Sequence, residues 1–147
     1  MGKMIKNEEE NLSLHAMIIF RKAIKTIDSH VMTDIREKGL TPAQFSVLEI
    51  LYSKGRLKIC QLIEKVLSSS GNMTVVIRNM EKKGWIDKKT DENDRRAFFI
   101  ELTENGKRII EELLPRHIES VERAFNILTE EDKRNLIEIL RKFKEIS

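Results

Sequence analysis

Residues 57–103 read LKICQLIEKVLSSSGNMTVVIRNMEKKGWIDKKTDENDRRAFFIELT, and this stretch is the part of the chain most informative about its structure. Its first half has two short apolar runs at helical spacing, separated by three serines. Its second half alternates as two strands do, on either side of the charged turn Asp91–Arg96. This order predicts a helix-turn-helix followed by a β-hairpin wing, a unit whose second helix enters the DNA major groove.

The second helix of this unit is predicted to have one buried face and one exposed face. Its apolar residues recur at i, i+3, i+4 and i+7, which is the pattern of a buried stripe. They are Met73, Val76, Ile77 and Met80. Ser68–Ser70 are expected to cap the start of the helix. The opposite face carries groups that can bond bases or phosphates or meet a thymine methyl group, although a merely solvated face is the alternative. Its members are Ser70, Asn72, Thr74, Val75, Arg78 and Asn79, with Ser69 beside them.

The distribution of charge favours a nucleic-acid partner for this segment. The whole chain has a net charge of only +3, but residues 54–96 hold 11 Lys and Arg against 6 Asp and Glu. The remainder is therefore negative, and the positive excess lies where phosphates would have to be neutralised. Within this segment, Arg78 is expected either to contact a phosphate or to pair with Glu81.

Further helices are predicted before this unit. Residues 12–36 contain no Gly or Pro and have apolar residues at helical spacing, up to a stop at Gly39. Thr41 and Pro42 are expected to open the next helix as N-cap and first residue, and that helix is predicted to end near Gly55. Its expected inward residues are Phe45, Leu48, Ile50 or Leu51, and Tyr52.

The start of the winged unit and the segment that follows the wing also have predicted structures. Leu57–Ile59 is expected to be extended, and Cys60–Leu67 to be a helix whose inward residues include Leu62 and Ile63. After the wing, a long helix is predicted from Thr103 to about residue 128, with a kink at Pro115.

The predicted fold is mostly α with a small β-hairpin wing, arranged in three segments. Residues 40–103 form a winged helix-turn-helix lobe, and residues 1–39 and 104–147 form a helical dimerisation lobe, in which Thr129 caps the last helix. The apolar stripes of the helical lobe are longer than a winged unit can cover. They include Leu136, Ile139, Leu140 and Phe143. A second copy of the chain is expected to cover them, which predicts a two-fold homodimer.

Composition excludes several other classes of protein. One cysteine rules out an intramolecular disulfide framework and suits a reducing cytoplasm. The N-terminal residues lack the apolar segment of a signal peptide, and no stretch has the roughly 18 uncharged apolar residues that cross a membrane. No phosphate loop, nucleophile elbow or patterned Cys-His pair is found, and His15, His30 and His117 are scattered. We therefore predict no catalytic residue, no cofactor and no metal site.

Six segments in the same order and spacing resemble the MarR family of transcriptional regulators over almost the full length of the chain. They are LTPAQF (40–45), SSGNMTVVI (69–77), EKKGWI (81–86), DENDRR (91–96), LTENG (102–106) and LTEED (128–132). The resemblance implies a homodimer that binds double-stranded DNA at an inverted-repeat operator, usually as a repressor. It also implies a wing in which Arg96 enters the minor groove and Asp94 braces it. Arg95 is an additional arginine in this chain, and we expect it to contact phosphate.

The resemblance further implies release from DNA by a small aromatic effector or by an oxidant. Effectors of such proteins bind between the dimerisation lobe and the winged unit, which makes Met17, Phe20 and Tyr52 candidate contacts, although plain core residues are the simpler interpretation. Cys60 near a helix start is a candidate thiol sensor because the helix dipole favours thiolate, but a small semi-buried residue explains it as well. A winged-helix protein–protein interaction module is the remaining alternative.

Overall fold

The computed structural model describes residues 11–66 and 72–147, and within them the chain is mostly helical with a three-stranded antiparallel sheet. The fold class expected from the sequence is thereby confirmed. In chain order the elements are α1 (Leu12–Val31), α2 (Thr33–Glu37), α3 (Pro42–Lys54), β1 (Leu57–Lys58), α4 (Ile59–Lys65), α5 (Met73–Lys82), β2 (Ile86–Thr90), β3 (Phe98–Leu102), α6 (Glu104–Phe125), α7 (Glu130–Arg141) and a 3₁₀ helix (Lys142–Ile146).

The chain divides into two compact units. One unit is Met32–Ile118, which holds the sheet and the helices between α2 and most of α6. The other consists of the described residues before Met32 together with Glu119–Ser147. Helix α6 continues without interruption through Pro115 and so supplies residues to both units. The three-segment division expected from the sequence stays a prediction, as does the kink.

The side chains of Thr41, Pro42 and Gln44 explain why α3 begins at Pro42. The Thr41 hydroxyl accepts a hydrogen bond from the Gln44 N–H at 3.1 Å, and the Gln44 side chain accepts one from the Thr41 N–H at 3.0 Å. Pro42, which has no N–H to satisfy, occupies the first helical position. This reciprocal capping box confirms Thr41 as the N-cap.

The helix predicted over residues 12–36 is in fact two. Met32 separates α1 from α2, between the β-branched residues Val31 and Thr33, whose helix propensity is low. Gly39 then ends α2 with a positive φ of 82°, while the Leu40 N–H bonds the Ile35 carbonyl at 3.1 Å. That left-handed turn is the conformation for which glycine is preferred after a helix.

The core of the Met32–Ile118 unit lies between α3, α5, α6 and the sheet. Phe45, Leu48 and Leu51 on α3 are buried as predicted. Tyr52 is not, with 41% of its surface exposed, because it lies in the last turn of α3 and its hydroxyl bonds the exposed carboxylate of Glu111 at 3.3 Å. Ile63 is also more exposed than predicted, since a seven-residue helix turns chiefly Leu62 inward.

The sheet has the order β1–β3–β2. β2 and β3 form the predicted hairpin, with pairs running from Ile86–Leu102 to Thr90–Phe98. Ile86 and Ile100 face the core and are fully buried. β1 is shorter than expected, because Ile59 already begins α4. Thr129 caps α7 as predicted and forms a capping box with Asp132, and the helix ends at Arg141. Among the described helices, none is long and apolar enough to cross a membrane.

Candidate nucleic-acid interface

Helix α5 starts at an asparagine cap. The Asn72 carboxamide oxygen accepts a hydrogen bond from the Thr74 N–H at 3.0 Å, and the helix begins at Met73. The prediction that Ser68–Ser70 cap this helix is therefore wrong, because Asn is as good an N-cap as Ser and stands next to the first helical residue. Ser69 and Ser70, predicted to contact DNA, lie outside the described residues.

The two faces of α5 are those that its periodicity predicts. Ile77 and Met80 are buried in the core, and Met73 and Val76 pack against it half-buried. The opposite face is exposed and presents the predicted contact residues Asn72, Thr74, Val75, Arg78 and Asn79. An apolar Val75 that is 43% exposed on this face leaves methyl groups available to a partner. The buried stripe thus fixes which residues a DNA groove could meet.

Arg78 lies in the middle of this exposed face. Of the two expectations for it, pairing with Glu81 is not seen, since no salt bridge joins these two described residues. The guanidinium is exposed on the same face as Thr74 and Val75. Phosphate contact is therefore the expectation that stays as a prediction.

The tip of the wing is held by two aspartates. The Asp91 carboxylate accepts a hydrogen bond from the Asn93 N–H at 2.9 Å, and the Asp94 carboxylate accepts one from the Arg96 N–H at 3.0 Å. The backbone closes between them, with the Asp91 N–H on the Ala97 carbonyl and the Ala97 N–H on the Asp94 carbonyl, both at 3.0 Å. Asp94 therefore braces the backbone of Arg96 and not its guanidinium.

Arg95 and Arg96 are exposed at this tip. Among the described residues, neither forms a salt bridge. Two adjacent guanidinium groups on a braced turn are a surface suited to phosphate oxygens and to a narrow groove.

Several supporting residues of the wing were not anticipated. Asp91 is one, and the Asp-x-Asn and Asp-x-Arg spacings at the turn are the sequence signal that could have found its side-chain hydrogen bond. Cations also stack on the wing phenylalanines, with Lys88 at 4.1 Å from the Phe98 ring centroid and Arg56 at 4.5 Å from that of Phe99. These contacts join separate elements, so no local spacing predicts them.

Lys89 on β2 is already neutralised within the sheet. Its ammonium lies 2.6 Å from the Glu101 carboxylate, and this hydrogen bond, with the charge attraction to Glu101, raises the pKa of Lys89. Lys89 therefore already has a carboxylate partner within the sheet, whereas Arg95 and Arg96 have no salt-bridge partner among the described residues.

Cys60 is exposed and not semi-buried as expected, because it follows Ile59 at the first turn of α4 on the side away from Leu62. The start of that helix is weakly capped: Gln61 accepts a hydrogen bond from the Lys58 N–H, but a lysine side chain has no acceptor to return. Within the described ranges, no group of three or more His, Cys, Asp or Glu residues is placed to hold a metal ion.

The candidate effector contacts are not core residues in a single chain. Met17 and Phe20 on α1 are 48% and 44% exposed, and Tyr52 on α3 is 41% exposed. The simpler interpretation of these three as plain core is therefore wrong. The two α1 residues belong to one compact unit and Tyr52 to the other.

Comparison with known proteins identifies this architecture. The family model for "MarR family" matches residues 40–98, which include α3, the α5 face and most of the wing. The HTH-type transcriptional regulator YkoM of Bacillus subtilis is 33% identical over 143 residues, covering 97% of this chain and 93% of YkoM. The chain belongs to the MarR family.

Solved MarR structures agree with the fold. Sco3205 of Streptomyces coelicolor, solved in complex with DNA, has a TM-score of 0.80 and 25% identity over 95% of this chain and 88% of that one. BpsR of Bordetella bronchiseptica, whose structure concerns regulation of DNA binding by 6-hydroxynicotinic acid, has a TM-score of 0.78 and 22% identity, covering 88% and 98%. This MarR protein is thus a DNA-binding winged-helix transcriptional regulator.

The brace from Asp94 to the Arg96 backbone can be separated from its charge. Asp94→Ala removes the acceptor and should weaken binding to a duplex selected by the wild type by about 1 kcal/mol, although it makes the tip more positive. Asp94→Asn keeps an oxygen acceptor while removing the charge and should bind as well as the wild type or better. Fluorescence anisotropy at fixed salt measures both. If the Ala variant binds the duplex as tightly as the Asn variant, the charge of Asp94, and not its hydrogen bond to the Arg96 backbone, determines the affinity.

Proposed function

We propose that this MarR protein is a homodimer that represses transcription at an inverted-repeat operator and is released by a small aromatic effector. The observation that carries the proposal is the pairing of an exposed polar face on α5 with the braced Arg95–Arg96 tip. A binding function, and not catalysis, is what these residues support.

The proposed contacts divide between the grooves. The α5 face, with Thr74, Val75 and Asn79, enters the major groove, where hydroxyl, amide and methyl groups can distinguish base edges. Arg78 and Arg95 contact phosphates, which fix register but do not specify sequence. Arg96 enters the adjacent minor groove, where narrow A·T-rich segments attract guanidinium groups.

Arg96→Ala should weaken binding to a selected duplex by about 1–3 kcal/mol, the usual effect of losing a groove-inserted arginine. The duplex is obtained by selecting a random library with the wild-type protein, and Lys22→Ala, which removes one charge from the other unit, is the control. A gel-shift titration in which both variants bind equally would remove the wing from the interface. An affinity for the selected duplex that does not fall as the salt concentration rises would favour the protein–protein interaction module instead.

The homodimer is proposed from the apolar surface of the unit that contains α1 and α7. In a single chain, the large apolar side chains of this unit stay exposed. Each Å² of apolar surface left in water costs about 25 cal/mol of free energy. The most exposed are Leu12 at 78%, Ile127 at 88%, Ile139 at 55%, Phe143 at 63% and Ile146 at 84%. A second copy would cover them and bring two α5 helices to one operator.

Phe143→Asp should dissociate the dimer, because an unpaired carboxylate would be buried beside Ile139 in the proposed interface. Light scattering at micromolar concentration is the measurement, and Lys144→Asp, a neighbouring charge change on an exposed residue, is the control. A Phe143→Asp protein that remains dimeric with unchanged stability would place this residue outside the interface.

The effector is proposed by analogy with BpsR, which shares the fold and whose DNA binding is regulated by 6-hydroxynicotinic acid. A panel of small aromatic acids and quinones should contain compounds that release the selected duplex from both wild type and Cys60→Ser. Linkage then requires DNA to weaken effector affinity by the same factor as effector weakens DNA affinity. Release by electrophiles alone, and only with Cys60 present, would instead establish the thiol switch that the exposure of this cysteine permits.

A further inference from the structure

Thr103 joins the end of the recognition helix α5 to the start of the long helix α6. Its hydroxyl donates a hydrogen bond to the Gly84 carbonyl at 2.6 Å, and its backbone N–H donates one to the Trp85 carbonyl at 3.1 Å. We call these two hydrogen bonds the Thr103 bridge. The bond to Gly84 spans 19 residues of sequence, and both bonds connect two helices that a hairpin otherwise separates.

The Gly84 carbonyl has a fixed direction because it belongs to the C-terminal cap of α5. The Trp85 N–H bonds the Met80 carbonyl and the Gly84 N–H bonds the Glu81 carbonyl, both at 3.0 Å, and Gly84 has a φ of 77°. This is a Schellman motif, in which the turn after the helix is rigidly tied to its last residues. A bond to Gly84 is therefore a bond to the end of α5.

The other end of the bridge is equally fixed. The same Thr103 hydroxyl accepts a hydrogen bond from the Gly106 N–H at 3.0 Å, so it is also the N-cap of α6. Gly106 lies so close to α5's end that a Cβ at this position would be 2.0 Å from the Trp85 carbonyl oxygen. The first turn of α6 thus rests directly on the backbone that ends α5.

From this geometry we infer that Thr103 is a positioning residue for DNA reading, which sets the orientation of α5 relative to α6. The inference rests on the proposed role of the α5 face. One hydroxyl serves both helices, so tilting α6 must either move α5 or break the bond to Gly84. Without the hydroxyl bond to Gly84, α5 samples orientations that do not fit the groove, and the apparent affinity falls in proportion to the fraction that does.

Three substitutions separate positioning from helix capping. Thr103→Ser keeps both hydrogen bonds of the hydroxyl. Thr103→Asp keeps the acceptor for the Gly106 N–H, and so caps α6, but an ionised carboxylate has no hydrogen to donate to Gly84. Thr103→Val, which is isosteric, loses both. The readout is the ratio of affinities for the wild-type-selected duplex and a shuffled duplex of the same composition, because partial unfolding or an added charge lowers both affinities together.

We expect the Ser variant to keep the wild-type ratio and the Asp variant to lose about threefold to tenfold of it, the range for one neutral hydrogen bond. The Val variant should lose at least as much of this ratio. If the Val variant fails to fold, the ratio of the Asp variant alone tests the inference. An Asp variant that is folded by circular dichroism and keeps the wild-type ratio overturns the inference and leaves the proposed function intact. A wild-type protein that yields no selected duplex overturns the proposed function itself, and the inference with it.

Discussion

The burial of one stripe of α5 is the constraint on which the proposed DNA-reading surface depends. Ile77 and Met80 are held in a core built with α3 and β2, so the helix cannot rotate without exposing them. With 3.6 residues per turn, fixing that stripe also fixes the opposite one. The reading face is therefore specified by core packing, which is insensitive to what the face itself carries. Its polar residues can then vary with the operator while the fold stays the same.

At the tip of the wing, acidic side chains order the turn but reduce its positive charge. Cations alone would attract phosphate more strongly, yet this tip contains Asp91, Glu92 and Asp94 beside its two arginines. Two of these acids satisfy backbone N–H groups that a bare turn would leave to water. Lys88 and Arg56 bring two further cations to the hairpin, where they stack on the rings of Phe98 and Phe99. An arginine that is already ordered loses less conformational entropy on binding than a mobile one. The acidic residues therefore favour binding by ordering the turn, although they reduce its positive charge.

What the sequence predicts well is what neighbouring residues determine. The Thr41 cap with Pro42 behind it, the α5 stripe and the hairpin depend on spacings of a few residues, and all three are as predicted. The errors arise where several neighbours compete or a distant element decides. Ser70 and Asn72 can both cap a helix, so sequence does not say which one does. The exposure of Tyr52 depends on Glu111, 59 residues away, and the Thr103 bridge joins residues that only the hairpin brings together.

Two copies of the α5 face are proposed to read one DNA duplex from the major groove, and the protection of guanine N7 from methylation reports that contact. The wild-type protein is bound to its selected duplex and treated with dimethyl sulfate, which modifies N7 in the major groove. Two symmetric blocks of protection are expected, and their centres should lie one helical turn, about 10 base pairs, or a multiple of it apart. A single block, or binding without protection of any major-groove guanine in the selected site, would contradict it.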